Sequence, residues 1–196
     1  MKTVNERRTE YDVDDIFLKR YSPRAMSGEA VSLVELMTLL DAARWAPSAF
    51  NAQPWRFLYA VRDTSDFDLF LSFLNESNQL WCKNAGAFVV VLSKNNREDG
   101  SLNSYSSFDT GSACENLALE GVKINLVIHT MAGFNSEVLR KELEIKDEYK
   151  IEVMVAVGKK GNAEDLPDYL REREKPSDRK NLEEICFNGK EGAKKL

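Results

Sequence analysis

One histidine, three cysteines and no glycine-rich phosphate loop exclude several common chemistries from this chain. A single histidine argues against a histidine-rich metal centre. Cys82, Cys114 and Cys186 are an odd set without metal-ligand spacing, so no metal is expected. They read as buried or idle thiols in a reducing compartment. There is no Gly-x-Gly-x-x-Gly, no P-loop, no Cys-x-x-Cys and no Gly-x-Ser-x-Gly. Nucleoside-triphosphatase, dithiol and serine-hydrolase readings therefore lack their chemistry. Positive charge is short as well: 27 Lys and Arg stand against 32 Asp and Glu, a formal charge of −5. Binding a nucleic-acid backbone needs a basic field, so nucleic acid is not the expected partner. The longest apolar run, Ala87–Leu92, is far below the roughly 20 residues of a membrane span. Met1–Arg8 carries no apolar signal region, so a cytoplasmic protein is expected.

What the chain does have is enough apolar content, 43% of 196 residues, for one core or for a protomer that completes its core in a dimer. Ser32-Leu33-Val34-Glu35 is a capping box. Behind it Leu33, Leu36, Met37, Leu40 and Ala43 follow helical spacing, and the helix should end before Pro47. Trp55–Val61 reads as a strand, and residues 65–74 as a helix. Ala87–Leu92 is apolar without alternation, as a strand buried on both faces would be. Residues 95–104 read as a loop, 105–121 as a helix rich in small residues, and Ile124–Ile128 as a strand. Asn135 caps a further helix through Leu143, and Ile151–Val157 is another buried strand. The expected class is α+β, a central sheet of four or five strands flanked by helices, in a single domain over 1–196. Residues 1–14 are a polar N-terminal segment. Residues 161–196 are charged and poor in apolar side chains until Leu182–Phe187, and read as a solvated extension or as an arm crossing a partner subunit.

Four segments carry candidate chemistry. The turn Ala46-Pro47-Ser48-Ala49-Phe50-Asn51-Ala52-Gln53-Pro54-Trp55 packs two prolines, a serine, two amides and a tryptophan into ten residues. It is stiff, polar and rimmed by aromatic surface, a suitable edge for a planar heterocycle. Lys19-Arg20-Tyr21-Ser22-Pro23-Arg24 offers arginine forks and a hydroxyl that match a phosphate, though it also reads as a charged surface turn. Lys175-Pro176-Ser177-Asp178-Arg179-Lys180 is a second basic run, either a solvated face or part of the same anion pocket. In Ile128-His129-Thr130-Met131-Ala132-Gly133-Phe134 a strand ends in small residues, leaving backbone N–H groups free for a ligand. His129 is a hydrogen-bonded strand-end residue or a general acid; no nucleophile is paired with it.

In order and spacing these segments, with Asn78-Gln79-Leu80-Trp81 before the apolar strand, Gly158 and the late Arg179, resemble the nitroreductase family of FMN-dependent oxidoreductases. The resemblance runs from about Ile16 to about Phe187. It implies a mostly antiparallel sheet and a homodimer with two FMN sites at its interface, the C-terminal arm lying on the partner. It further implies that Arg20, Tyr21, Ser22, Arg24 and Arg179 hold the phosphate and ribityl chain. Pro47, Ser48, Ala49, Asn51 and Gln53 come from the other subunit, and Asn78 meets the flavin edge. Thr130 and Met131 lie against the ring, and the backbone of Ala132 and Gly133 faces N5 and O4. NADH or NADPH would donate hydride through flavin N5, in ping-pong fashion, to nitroaromatics, quinones or similar small acceptors. The alternative is a module that stores or senses FMN with little turnover. Ala132 stands where some relatives carry a glutamate, and Ser177 where others carry a lysine.

Overall fold

The structure is a computed structural model that describes residues 2–194. Its centre is a four-stranded antiparallel sheet in the order β3-β4-β6-β5, formed by β3 (Trp55–Val61), β4 (Ala87–Lys94), β5 (Leu126–Met131) and β6 (Tyr149–Lys159). The α+β architecture expected from the sequence is present. β4 and β6 are the inner strands, which accounts for the unbroken apolar run of β4. Phe88 and Val90 enter one core with Phe67, Phe70, Phe73, Trp81 and Met154. Val89 and Val91 enter the other with Leu36, Leu39, Trp55, Leu117 and Val155. Successive strand residues point to opposite faces, and here both faces are covered.

The first core is closed by α3 (Ser65–Phe73), α4 (Glu76–Cys82) and α6 (Ser136–Glu142). The second is closed by α2 (Leu33–Arg44) and the long α5 (Ser106–Lys123). Local chemistry sets the helix starts. Ser32 accepts from the Glu35 N–H while the Glu35 carboxylate accepts from the Ser32 N–H at 2.8 Å, the capping box in full. Asn75, Thr64 and Asn135 cap α4, α3 and α6 from one side only, each side chain accepting a backbone N–H.

Two segments differ from the sequence expectation, and one that carried no expected element is a helix. The strand expected over Ile124–Ile128 begins at Leu126 and runs on to Met131, because Asn125 takes a left-handed backbone (φ 61°) that ends α5. The segment holding Asn78 is a helix, α4. The polar N-terminal segment folds as a hairpin of β1 (Lys2–Val4) and β2 (Arg7–Thr9), turned by left-handed Asn5 and Glu6, and is followed by the short helix α1 (Asp15–Lys19).

The tail also uses this chain's own core. Leu166 and Leu170, the latter on α7 (Asp168–Arg171), are buried in the first core. Beyond residue 174 the described side chains are mostly exposed, with α8 (Gly189–Ala193) near the end. At the exit of β6, Gly161 N–H donates to the Ala25 carbonyl at 2.9 Å. A Cβ on Gly161 would lie 2.5 to 2.8 Å from backbone atoms of Met26 and Ser27. Gly161→Ala is expected to destabilise the fold by about 1–3 kcal/mol, because backbone cannot yield as a side-chain tip does. Denaturant unfolding checks this, and an unchanged midpoint would contradict the contact.

Candidate functional site

The basic turn after α1 is held by side chains from three remote segments. Arg7 on β2 donates through Nη1 to the carbonyls of Leu18 and Arg20, and through Nε to the Ser177 carbonyl at 2.8 Å. The Glu174 carboxylate accepts from the backbone N–H groups of Arg24 and Ala25 at 2.8 Å each. His129 on β5 sits 2.9 Å from the Pro23 carbonyl through Nδ1. The carbonyl can only accept, so Nδ1 carries the proton. The imidazole also packs on Trp81, ring centres 4.6 Å apart. His129 is thus the hydrogen-bonded residue of the two sequence readings, a clamp on the turn.

This clamping opens a cleft of about 320 Å³ lined by Arg7, Arg20, Tyr21, Ser22, Arg24, His129, Arg173, Lys175, Ser177 and Arg179. The two basic runs of the sequence meet here. The cations outnumber the acidic groups beside them. Arg20 Nε lies 3.4 Å from the Glu115 carboxylate, and Glu174 is engaged with backbone. Burial and the neighbouring Arg179 and Arg20 guanidiniums press the Arg7 pKa below its usual value. Burial and Glu174 raise that of Tyr21. A cleft in which guanidiniums repel one another is a cleft prepared for an anion. Arg7 and Arg173 are the cleft residues that sequence reasoning missed, since both lie in polar segments with no periodic signal.

β5 leads away from this cleft. Thr130 is exposed, and the strand pairing ends at Met131. Ala132 and Gly133 follow, lining a second cleft of about 750 Å³ with Asn75, Gln79 and Phe134. Asn78 Nδ2 donates to the Gly133 carbonyl at 3.1 Å, and Asn75 N–H donates to it at 3.0 Å. A Cβ at 133 would lie within 2.7 Å of both asparagine side-chain amides, so a larger residue would have to displace them and the hydrogen bond from Asn78. Met131 is placed otherwise than the resemblance implied: its side chain is 4% exposed in the core, beside Cys82 Sγ at 3.4 Å. Period-two alternation turns it inward while Thr130 and Ala132 face out, leaving only its backbone for a ligand.

The Pro-Ser-Ala-Phe-Asn-Ala-Gln-Pro turn stands apart. Asn51 and Gln53 line a third cleft of about 560 Å³ that shares no residue with the basic one. The Ala49 N–H donates to the Asp109 carboxylate at 3.0 Å, and the Gln53 N–H to Ser48 Oγ at 3.0 Å. Phe50, Asn51 and Gln53 all take left-handed backbone conformations. Pro47 is exposed and Phe50 is 89% exposed. One chain therefore joins Arg20–Arg24 to Arg179, and leaves the turn outside that group.

The Nitroreductase family profile matches residues 17–68 and 63–159. The chain belongs to the nitroreductase family. An oxidoreductase containing FMN, known from a crystal structure, is similar to it over 97% of this chain and 98% of its own, at 41% identity and a TM-score of 0.93. A protein of Desulfovibrio desulfuricans described as a nitroreductase and solved with FMN covers 92% of this chain and 98% of its own. Its TM-score is 0.74 at 22% identity, which speaks for the fold alone. An uncharacterized 15.4 kDa protein of Mycolicibacterium smegmatis is 28% identical over 109 residues, 55% of this chain and 74% of its own length. In this nitroreductase-family chain the hairpin with Arg7 and the tail with Arg179 lie outside the matched residues.

Burial, aided by the nearby Arg24 charge and opposed by the Pro23 hydrogen bond, pushes the His129 pKa below its ordinary 6.5. The folded state then favours the neutral ring, and below 6.5 the unfolded chain binds more protons. Stability from this group is complete above the ordinary value and falls as pH drops through it. Urea unfolding at about pH 7.5 and about pH 5.5 should show a larger loss in the wild type than in His129→Gln. Equal losses would contradict a buried neutral imidazole.

Proposed function

We propose that this chain is an FMN-dependent oxidoreductase that takes electrons from NADH or NADPH and passes them to small electron-poor acceptors such as nitroaromatics and quinones. The observation that carries the reading is the cationic cleft at His129 and, just beyond it at the C-terminal end of β5, the exposed Thr130 and Ala132 with Gly133. From His129 to Ala132 is three strand residues, roughly 10 Å. A phosphate ester and a five-carbon polyol chain bridge such a span and bring a planar ring to Ala132. The 41% identical relative that contains FMN supports the same ligand.

FMN when bound supplies the two-electron chemistry, and the protein supplies position and field. Arg20, Arg24 and Arg179 hold the phosphate with Ser22, and Tyr21 lies at the same turn. The backbone N–H groups of Ala132 and Gly133, beyond the end of the β5 pairing, donate to the polar edge of the ring. Thr130 packs beside them, and Asn78 keeps Gly133 in place through its carbonyl. Ala132 leaves room where a larger acidic side chain would narrow the choice of acceptor. Donor and acceptor use one open face in turn, which is ping-pong behaviour. No side-chain nucleophile is required for this chemistry.

The protein acts as a homodimer in this reading. Pro47, Ser48, Ala49, Asn51 and Gln53 of one subunit form a wall of the other's pocket, and the residues beyond 174 extend over the partner. Exposed Phe50, Phe108 and Trp45 and the open surface at Gly111 of α5 support a partner on this side. The free thiols of Cys82, Cys114 and Cys186 suit a cytoplasmic location.

The flavin band near ~450 nm reports the reaction. In oxygen-free buffer, NADH or NADPH should bleach it, and a nitroaromatic should restore it. No bleaching with either nicotinamide would overturn the enzyme reading and leave FMN storage or sensing. Arg20→Ala should weaken FMN binding by about 10- to 150-fold, the loss of a charge-assisted bond worth about 1.5–3 kcal/mol. Full retention of FMN through gel filtration would contradict the phosphate assignment.

A further inference from the structure

We propose that Arg7 is the positioning residue that assembles the anion cleft, and that binding of a phosphate group is coupled to docking of the N-terminal hairpin. The inference rests on the flavin reading only for the identity of the phosphate ester; an inorganic phosphate would serve the same cleft.

Arg7 is 7% exposed. Its donors reach carbonyls in two separate parts of the chain, Leu18 and Arg20 at the basic turn and Ser177 in the tail. Together with its own strand, it thereby fastens three segments around one cleft. Those partners satisfy the donors but are neutral. Among the described residues no hydrogen-bonded carboxylate cancels the Arg7 charge, although Asp178 lies close enough to act on it. A guanidinium taken out of water without such a partner is costly. Arg20 and Arg179 add like charge to the same space.

Without an anion, this repulsion opposes docking of β2. A phosphate dianion on the exposed side of the cleft reverses the balance. Any ligand that binds the docked form more tightly must favour docking by the same factor. Among the described residues its strands, of three residues each, pair only with one another, and β1 packs on the short α1. Arg7 is therefore the link through which phosphate occupancy reaches the N-terminus.

Hydrogen–deuterium exchange on the full chain, freed of flavin, tests this at residues 3–9. The protein is compared alone, with inorganic phosphate, with FMN, and with riboflavin, which has the ring but no phosphate. FMN and phosphate should each slow exchange there by about tenfold, and riboflavin should not. FMN that binds, as judged by quenched flavin fluorescence, yet leaves these amides unchanged overturns the inference and spares the flavin reading. Equal protection by riboflavin overturns it too. Protection by inorganic phosphate without any FMN binding supports the inference and overturns the flavin reading. In a second arm, Arg7→Gln should weaken FMN binding about tenfold and leave riboflavin binding unchanged, with Arg7→Lys recovering part of the loss. An equal loss of both ligands would mean a purely structural residue and would overturn the proposal. The exchange arm uses the unmodified chain, so a poorly folded variant does not blunt the test.

Discussion

Between Leu18 and Ala25 the backbone is held at five residues by side chains from elsewhere in the chain. Arg7 takes the carbonyls of Leu18 and Arg20, His129 takes that of Pro23, and Glu174 takes the amides of Arg24 and Ala25. Beyond the end of α1 at Lys19 the turn is extended and has no helix or strand of its own to satisfy these groups. A buried backbone group without a partner costs about as much as a lost hydrogen bond. Those three clamps make it possible for Arg20 and Arg24 to be crowded against Arg173 and Arg179. The sheet serves the same end. β5 places His129 under Pro23, and β6 brings Gly161 against the backbone at Ala25 and Met26.

A second constraint follows from what one chain leaves apart. The cationic cleft, the Ala132–Gly133 cleft and the Asn51–Gln53 cleft have separate linings. The last residues of β5, from His129 to Met131, connect the first two. The third belongs to a rigid exposed turn braced by Asp109 and Ser48. Rigidity in an exposed turn is useful when its polar groups must meet something, and left-handed backbone at Phe50, Asn51 and Gln53 is a cost that such a role explains. In the proposed dimer that turn completes the pocket of the other subunit.

Much of this was legible in the residues, for reasons that differ by segment. The capping box at Ser32, the apolar run of β4 and the small residues at Ala132–Gly133 carry local signals, and the elements formed where those signals stood. Basic runs 150 residues apart could be paired only as a possibility, because nothing local says that Glu174 folds back onto Arg24. The hairpin was missed because Asn5-Glu6 is not a usual tight-turn pair, although both residues adopt the left-handed conformation that such a turn needs. Arg7 was missed with it. Met131 was misplaced because order along a strand does not say which face each residue takes until the register is known.

The central claim is that the cationic cleft of one subunit and the 47–53 turn of the other make one flavin pocket. Mixing two defective variants tests it most directly. Arg20→Ala damages the cleft, and a bulky substitution such as Ala49→Trp damages the wall. Each alone should bind FMN poorly. After co-refolding, a mixed dimer holds one pocket with both walls intact, so tight FMN binding should return at about one site per mixed dimer, with the rest remaining weak. No recovery in a mixture that forms mixed dimers would mean that both walls come from the same chain, and would contradict the account.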